Sequence, residues 1–171
     1  MPLLNIVLYP DDPLTRVADP VGTVTPEYVR LAMDMIETMH AYDGCGLAGP
    51  QVGLAQRIFV MHAPDQDPRC LINPEILEAE GSEIGEEGCL SIPEVYADVP
   101  RATRIRVKAL DELGHPVEFE ANDFEARIIQ HEMDHLNGIL IVDRVDILTR
   151  QSMLQEWEPI RSRLLMTPKK R

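Results

Sequence analysis

Apolar residues recur with two different periods along this chain. Leu31, Met35, Ile36 and Met39 fall at helical spacing, which predicts a first helix with Thr25 as N-cap and Pro26 at its first position, running to Gly44. Between residues 57 and 120 the pattern becomes short β-branched or alternating runs separated by Gly, Pro and Asp. Arg57 to Met61, Cys70 to Leu77, Val95 to Val99, Arg104 to Leu110 and Val117 to Glu120 are read as strands of antiparallel sheets. Helical spacing returns at Asn122, which is expected to cap a second helix together with Glu125 and to hand over to a left-handed Gly138. Asp123, Arg127, Gln130 and Asp134 share one sector of that helix, so the rest of its circumference is apolar and the helix should be mostly buried. A third helix is predicted from Asp146, interrupted near Pro159, with Leu148, Met153, Leu154 and Trp157 for packing. The order helix, strands, helix, helix implies an α+β fold rather than a doubly wound parallel sheet.

Composition narrows the class. In 171 residues, 44 % hydrophobic and 26 % charged side chains suffice for one ordered domain over residues 1–171, and no repeat or low-complexity tract interrupts it. The longest apolar runs, Ile58 to Met61 and Gly138 to Val142, are far shorter than the roughly 20 residues of a membrane span. The segment Met1 to Asn5 lacks a basic stretch followed by an apolar one, so a cytoplasmic enzyme with no membrane partner is expected. Cys45, Cys70 and Cys89 are too few for a disulfide framework, which agrees with a reducing compartment and leaves at least one thiol free or on a metal. A formal net charge of −13 opposes binding to phosphate backbones, so DNA is not expected as a partner. The exception is local: Arg161, Arg163, Lys169, Lys170 and Arg171 form a basic end without an acidic residue, more simply a solvated terminus than a docking element.

The chemistry is concentrated in His131-Glu132-Met133-Asp134-His135. On a helix, residues four apart lie about 40° apart on one face, so both imidazoles can reach one metal ion. Glu132 stands about 60° from His135 around the same axis, placed to exchange a proton with metal-bound solvent without being a ligand. Two helical histidines can equally be hydrogen-bonded core residues, so a third ligand decides. The extended metalloprotease motif needs a histidine six residues after His135, where this chain has Ile141. Glu156 or Glu158 could serve as in a second protease class. Cys89, in Glu87-Gly88-Cys89-Leu90-Ser91-Ile92-Pro93, is the other candidate, because a thiolate with two neutral imidazoles leaves a fourth tetrahedral position open to water.

Three segments occur in a recognisable order: Gly44-Cys45-Gly46-Leu47-Ala48-Gly49-Pro50-Gln51, Glu87-Gly88-Cys89-Leu90-Ser91 and His131-Glu132-Met133-Asp134-His135. They resemble the signature motifs of the peptide deformylases, most closely the bacterial type. The similarity extends from Ile6-Val7-Leu8-Tyr9-Pro10-Asp11 through Leu71 to Glu75 and Val99-Pro100-Arg101 to Leu136-Asn137-Gly138. Two positions depart from the usual pattern: Cys45 replaces an aliphatic residue and Gly49 an alanine. The basic end after Pro159 also departs from the long C-terminal helix of some bacterial members.

The resemblance implies antiparallel β-sheets packed around a central helix that carries the His131 to His135 motif, with N-terminal and C-terminal helices. It implies a hydrolase of protein biosynthesis and N-terminal methionine processing, which removes the formyl group from the formyl-methionine of nascent polypeptides. It further implies one divalent metal ion on Cys89, His131 and His135, ferrous iron first, with zinc, nickel or cobalt able to occupy such a site. Glu132 is then the proton carrier, Gln51 and the Leu90 N–H stabilise the oxyanion, and Gly44, Cys45 and Gly46 hold the peptide. Ribosome association is implied only weakly. With Gln51, Cys89 and Glu132 all present, a non-catalytic descendant is disfavoured. His40, His62 and His115 have no spacing partner and are assigned no catalysis.

Overall fold

The computed structural model describes residues 3–168. Helix α1 (Glu27–Ala41) is followed by strands β1 (Gly46–Ala48), β2 (Ile58–Met61), β3 (Arg69–Glu80), β4 (Glu83–Cys89), β5 (Ile92–Arg101), β6 (Arg104–Leu110) and β7 (Pro116–Asn122), then helices α2 (Asp123–Leu136) and α3 (Ile147–Leu165). All strand pairs are antiparallel, forming a five-stranded sheet in the order β1-β2-β3-β6-β7 and a separate two-stranded ribbon of β4 and β5. The α+β class expected from the sequence is the class observed.

Alternation along β2 shows how the layers arise. Ile58 and Val60 point to one face, where they meet Ala32, Met35 and Met39 of α1. Phe59 and Met61 point to the other, where they meet Ala126, Ile129 and Leu136 of α2. The large sheet is therefore covered on both sides, and α2 lies between it and the β4–β5 ribbon. Against that ribbon pack α3 and the N-terminal segment, through Met153, Trp157, Tyr9 and Leu14. Side chains such as Phe59, Met35 and Ile129 are fully buried, each contributing about 1.5–3 kcal/mol of transfer free energy. The Trp157 indole N–H donates to the Tyr9 carbonyl at 3.0 Å, fixing α3 to the chain start.

Several local expectations are corrected. The first helix is assigned from Glu27, with Pro26 as its N-cap in helical conformation. Asn122 occupies the N-cap of α2, but its side chain makes no capping bond and Glu125 accepts from Gln66 instead. Gly138 is left-handed as expected, with φ 73°. The third helix is not interrupted at Pro159. Proline removes the donor to the carbonyl of Gln155, yet both residues are exposed, so water can satisfy that oxygen. Two strands had no sequence signal: β1 has three residues, and β4 is acidic and carries two glycines. Of the basic end, Arg161 pairs with Asp11 at 3.0 Å and Arg163 pairs with Glu94, while Lys169, Lys170 and Arg171 lie outside the described residues.

Candidate metal centre

Three basic atoms from two elements converge beside α2. Cys89 ends β4 at the tight turn through Leu90 into β5, while His131 and His135 lie one turn apart on α2. Cys89 Sγ is 3.4 Å from His135 Nε2, which is 3.2 Å from His131 Nε2. Among the described residues this trio is the one cluster of three or more His, Cys, Asp or Glu side chains whose ligand atoms lie within 4.8 Å of one another. A tetrahedral ion with metal–nitrogen and metal–sulfur bonds of about 2.05 and 2.3 Å would space its ligands roughly 3.3 Å apart (N to N) and 3.6 Å apart (N to S). The observed edges match. Glu156 and Glu158 are exposed on α3 and outside this cluster, so the peptidase alternative has no third ligand there.

Hydrogen bonding sets the tautomer. His131 Nδ1 donates to Glu87 Oε1 at 2.8 Å, which turns the Nε2 lone pair toward His135 and Cys89. Two imidazole lone pairs at this separation repel unless a proton or a metal ion lies between them. Burial would push both histidines down. For His131, hydrogen bonds to Cys89 and Glu87 and the charge of Glu132 outweigh it and lift the group well above its ordinary range. His135 falls well below, through burial and the neighbouring His131 and Arg101 charges. These residues fit a metal ion.

Glu132 is buried, and its Oε2 has no hydrogen-bond partner among the described residues. Burial raises its pKa to about 7, with His131 and Arg101 lowering it and Glu87 and Asp134 raising it. A carboxylate that titrates near neutrality suits proton transfer in both directions. Gln51 is also buried, and the Ala48 N–H donates to its Oε1 at 2.9 Å. Its amide nitrogen is thereby aimed at Cys89 Sγ, 3.6 Å away, and at Ser91 Oγ, 3.2 Å away. Both groups face a cleft of about 570 Å³ that Leu90, Gly44, Cys45 and Gly46 also line. Beside it runs β1, the edge strand of the large sheet.

The family model for polypeptide deformylase matches residues 3–151. The chain belongs to the polypeptide deformylase family. It is 48 % identical over 163 residues to a peptide deformylase of Alkalilimnicola ehrlichii, covering 94 % of this chain and 92 % of that one. Among solved structures, a peptide deformylase of Legionella pneumophila superposes with a TM-score of 0.92 at 36 % identity, covering 98 % of this chain and all of the other. A peptide deformylase of Ehrlichia chaffeensis in complex with actinonin superposes with a TM-score of 0.90, also at 36 % identity, over 94 % of this chain and 98 % of that one.

One of the two departures from the deformylase pattern has a visible cause. A β-carbon on Gly49 would stand 2.9 Å from the carbonyl oxygens of both Leu54 and Gln56, so alanine would require the following loop to move. Cys45 is exposed at the cleft, and its pKa is raised by partial burial and by Glu132.

The support beneath the centre was not read from the sequence. Glu87 accepts from Arg101 through two nitrogens, each at 2.9 Å, from Arg127 at 2.6 Å and from His131. Arg101 also donates to Asp134 at 2.7 Å, and Asp134 accepts from Arg144. Two residues of the polar sector of α2, Arg127 and Asp134, therefore belong to an internal ion network that reaches the ribbon, while Gln130 bonds the Ala102 main chain and Asp123 is exposed. Burial alone would raise Glu87, but hydrogen bonds to Arg101 and His131 hold its pKa down at about 2. The one available signal was the presence of Glu87 and Arg101 inside segments that carry the resemblance. His40 and His62, which share no motif spacing in the sequence, are brought together on the surface with their rings hydrogen-bonded at 2.8 Å.

Proposed function

We infer that this chain hydrolyses the formamide of formyl-methionyl nascent polypeptides, releasing formate, and that residues 1–171 act as one catalytic domain in the cytoplasm. The observation that carries the reading is the convergence of Cys89 Sγ, His131 Nε2 and His135 Nε2 at a cleft that Glu132, whose Oε2 has no hydrogen-bond partner among the described residues, also lines. Membership of the deformylase family supplies the substrate class.

Cys89, His131 and His135 would hold one divalent ion, with ferrous iron as the proposed native metal and zinc, nickel or cobalt as substitutes. When bound, such an ion supplies Lewis acidity that lets water ionise near neutral pH. Glu132 takes the proton of the attacking water on its free carboxylate oxygen and returns it to the departing amine. The Gln51 amide and the Leu90 N–H donate to the formyl oxygen as negative charge collects there, each worth about 3–4 kcal/mol of barrier. Gly44, Cys45 and Gly46 hold the peptide as an added strand. Support for this comes from the position of β1 at a sheet edge, where N–H and C=O groups remain available, and beside the cleft. Since Arg161 and Arg163 are engaged in ion pairs, any ribosome contact of the basic end falls to Lys169, Lys170 and Arg171.

The direct test is formate release from formyl-Met-Ala-Ser by protein purified without oxygen, with acetyl-Met-Ala-Ser as comparison. Formate should appear together with the free amine, and the acetylated peptide should remain intact. A folded, metal-loaded protein that released no formate would refute the reading.

A further inference from the structure

The three ligand atoms come from two bodies that share no sheet. Cys89 belongs to the β4–β5 ribbon and the histidines to α2, so their separation depends on what ties ribbon to helix. A two-stranded ribbon has little rigidity of its own. Arg127 lies on α2 one turn before His131. Its side chain is 13 % exposed and reaches across to the ribbon. One terminal nitrogen donates to the Val99 carbonyl at 2.8 Å and to Glu87 Oε2 at 2.6 Å, and the other donates to the Glu83 carbonyl at 2.7 Å. The guanidinium thus grips the main chain of β4 and of β5 together with the carboxylate that orients His131.

The opposing strand is shaped to receive it. Gly85 pairs with Val99 in the ribbon register, and a β-carbon on Gly85 would stand 2.9 Å from the guanidinium carbon of Arg127 and 3.0 Å from one terminal nitrogen. A side chain there would occupy the path of the arginine. Arg127, with Phe124, borders both the main cleft and a smaller cavity of about 240 Å³.

We propose that Arg127, seated on the bare backbone of Gly85, is a positioning residue that holds the ribbon at the distance from α2 at which Cys89 closes on His131 and His135. The inference rests on the assignment of those three residues as metal ligands. Arg127 touches neither ion nor substrate in this role; it acts through Glu87 and the strand carrying Cys89. Groups that support metal ligands in this way typically change affinity or activity by roughly 10–100-fold when removed.

The test measures the release of zinc from the zinc-loaded chain into excess chelator. Arg127→Met keeps the length of the stem and removes the grip, Gly85→Ala displaces the guanidinium without altering any charge, and the double variant combines them. Thermal unfolding is followed alongside. Each single variant that folds should release zinc roughly 10–100-fold faster than the wild type. The double variant should be no faster than the faster single one, because both remove the same contact. Arg127→Lys, which can satisfy one acceptor, should fall between wild type and Arg127→Met. Should Arg127→Met fail to fold, Gly85→Ala and Arg127→Lys decide. Unchanged release from a folded single variant, or effects that multiply in the double variant, would overturn the proposal. A wild-type chain that took up no zinc would instead overturn the ligand assignment, and this inference with it.

Discussion

Gly46 lies directly against the carboxylate arm of Glu132: a β-carbon at residue 46 would stand 2.8 Å from Glu132 Cδ and 2.9 Å from its Cγ. Glu132 is buried. Gly46→Ala should therefore displace Glu132, the proposed proton carrier, while leaving Cys89, His131 and His135 in place. The expected outcome is kcat lower by roughly 10–100-fold, since small misplacements of a reacting group are costly. Metal content should be unchanged. Steady-state kinetics with metal analysis checks it, and a fully active Gly46→Ala would show that the contact does not position Glu132.

The helical half of the candidate site was legible because its information is local. His131, Glu132 and His135 are organised by helical periodicity alone, and α2 presents them as the spacing requires. Residue chemistry alone left Cys89 as one candidate third ligand beside Glu156 and Glu158, since nothing in a single cysteine between Gly88 and Leu90 announces that β4 will deliver it to α2. The ion network was illegible for the same reason. Glu87 and Arg101 are 14 residues apart and Arg101 and Asp134 are 33 apart, so no periodicity connects them. Strand β4 was hidden because its acidic, glycine-containing sequence has little strand preference of its own. Its pairing with β5 creates it. Pro159 misled because a donor lost on an exposed helix face can be replaced by water.

Gln51 is held by the Ala48 N–H with its amide nitrogen directed at Cys89 Sγ. Replacement by Leu keeps the bulk and removes the donor. For Gln51→Leu, kcat should fall by roughly 10²–10³, about 3–4 kcal/mol of barrier, with a much smaller change in KM. A loss confined to KM would mean that Gln51 binds substrate rather than the developing oxyanion.

The depressed pKa of Glu87 makes part of the stability depend on pH. Its folded value of about 2 lies below the ordinary value of 4.5, so its contribution is complete above about pH 4.5 and is lost as pH falls toward 2. At neutral pH, Glu87→Gln should destabilise the metal-free chain by about 3 kcal/mol, because it leaves buried Arg101 without its bidentate partner. At pH 3 that difference should shrink to roughly half. Urea unfolding of both proteins with chelator at pH 7 and pH 3 provides the comparison. A gap that stayed constant would place the stabilisation elsewhere.

Accessibility and acidity separate two of the thiols. Cys70 is buried, and burial with nearby Glu112 and Asp111 pushes its pKa up to about 12, whereas Cys45 is exposed at the cleft. In the native, metal-loaded chain, iodoacetamide should modify Cys45 slowly and leave Cys70 unmodified until denaturant is added. Peptide mapping reads the sites, and early modification of Cys70 would contradict the packing of β3 against α1.

The most direct test of the account is the metal content of three purified, folded proteins. The wild type should carry one equivalent of divalent metal per chain, and Glu132→Gln should carry the same while releasing almost no formate. Cys89→Ala should carry almost none. A Cys89→Ala protein that retained a full equivalent would remove the thiol from the centre and contradict the three-ligand site on which the function rests.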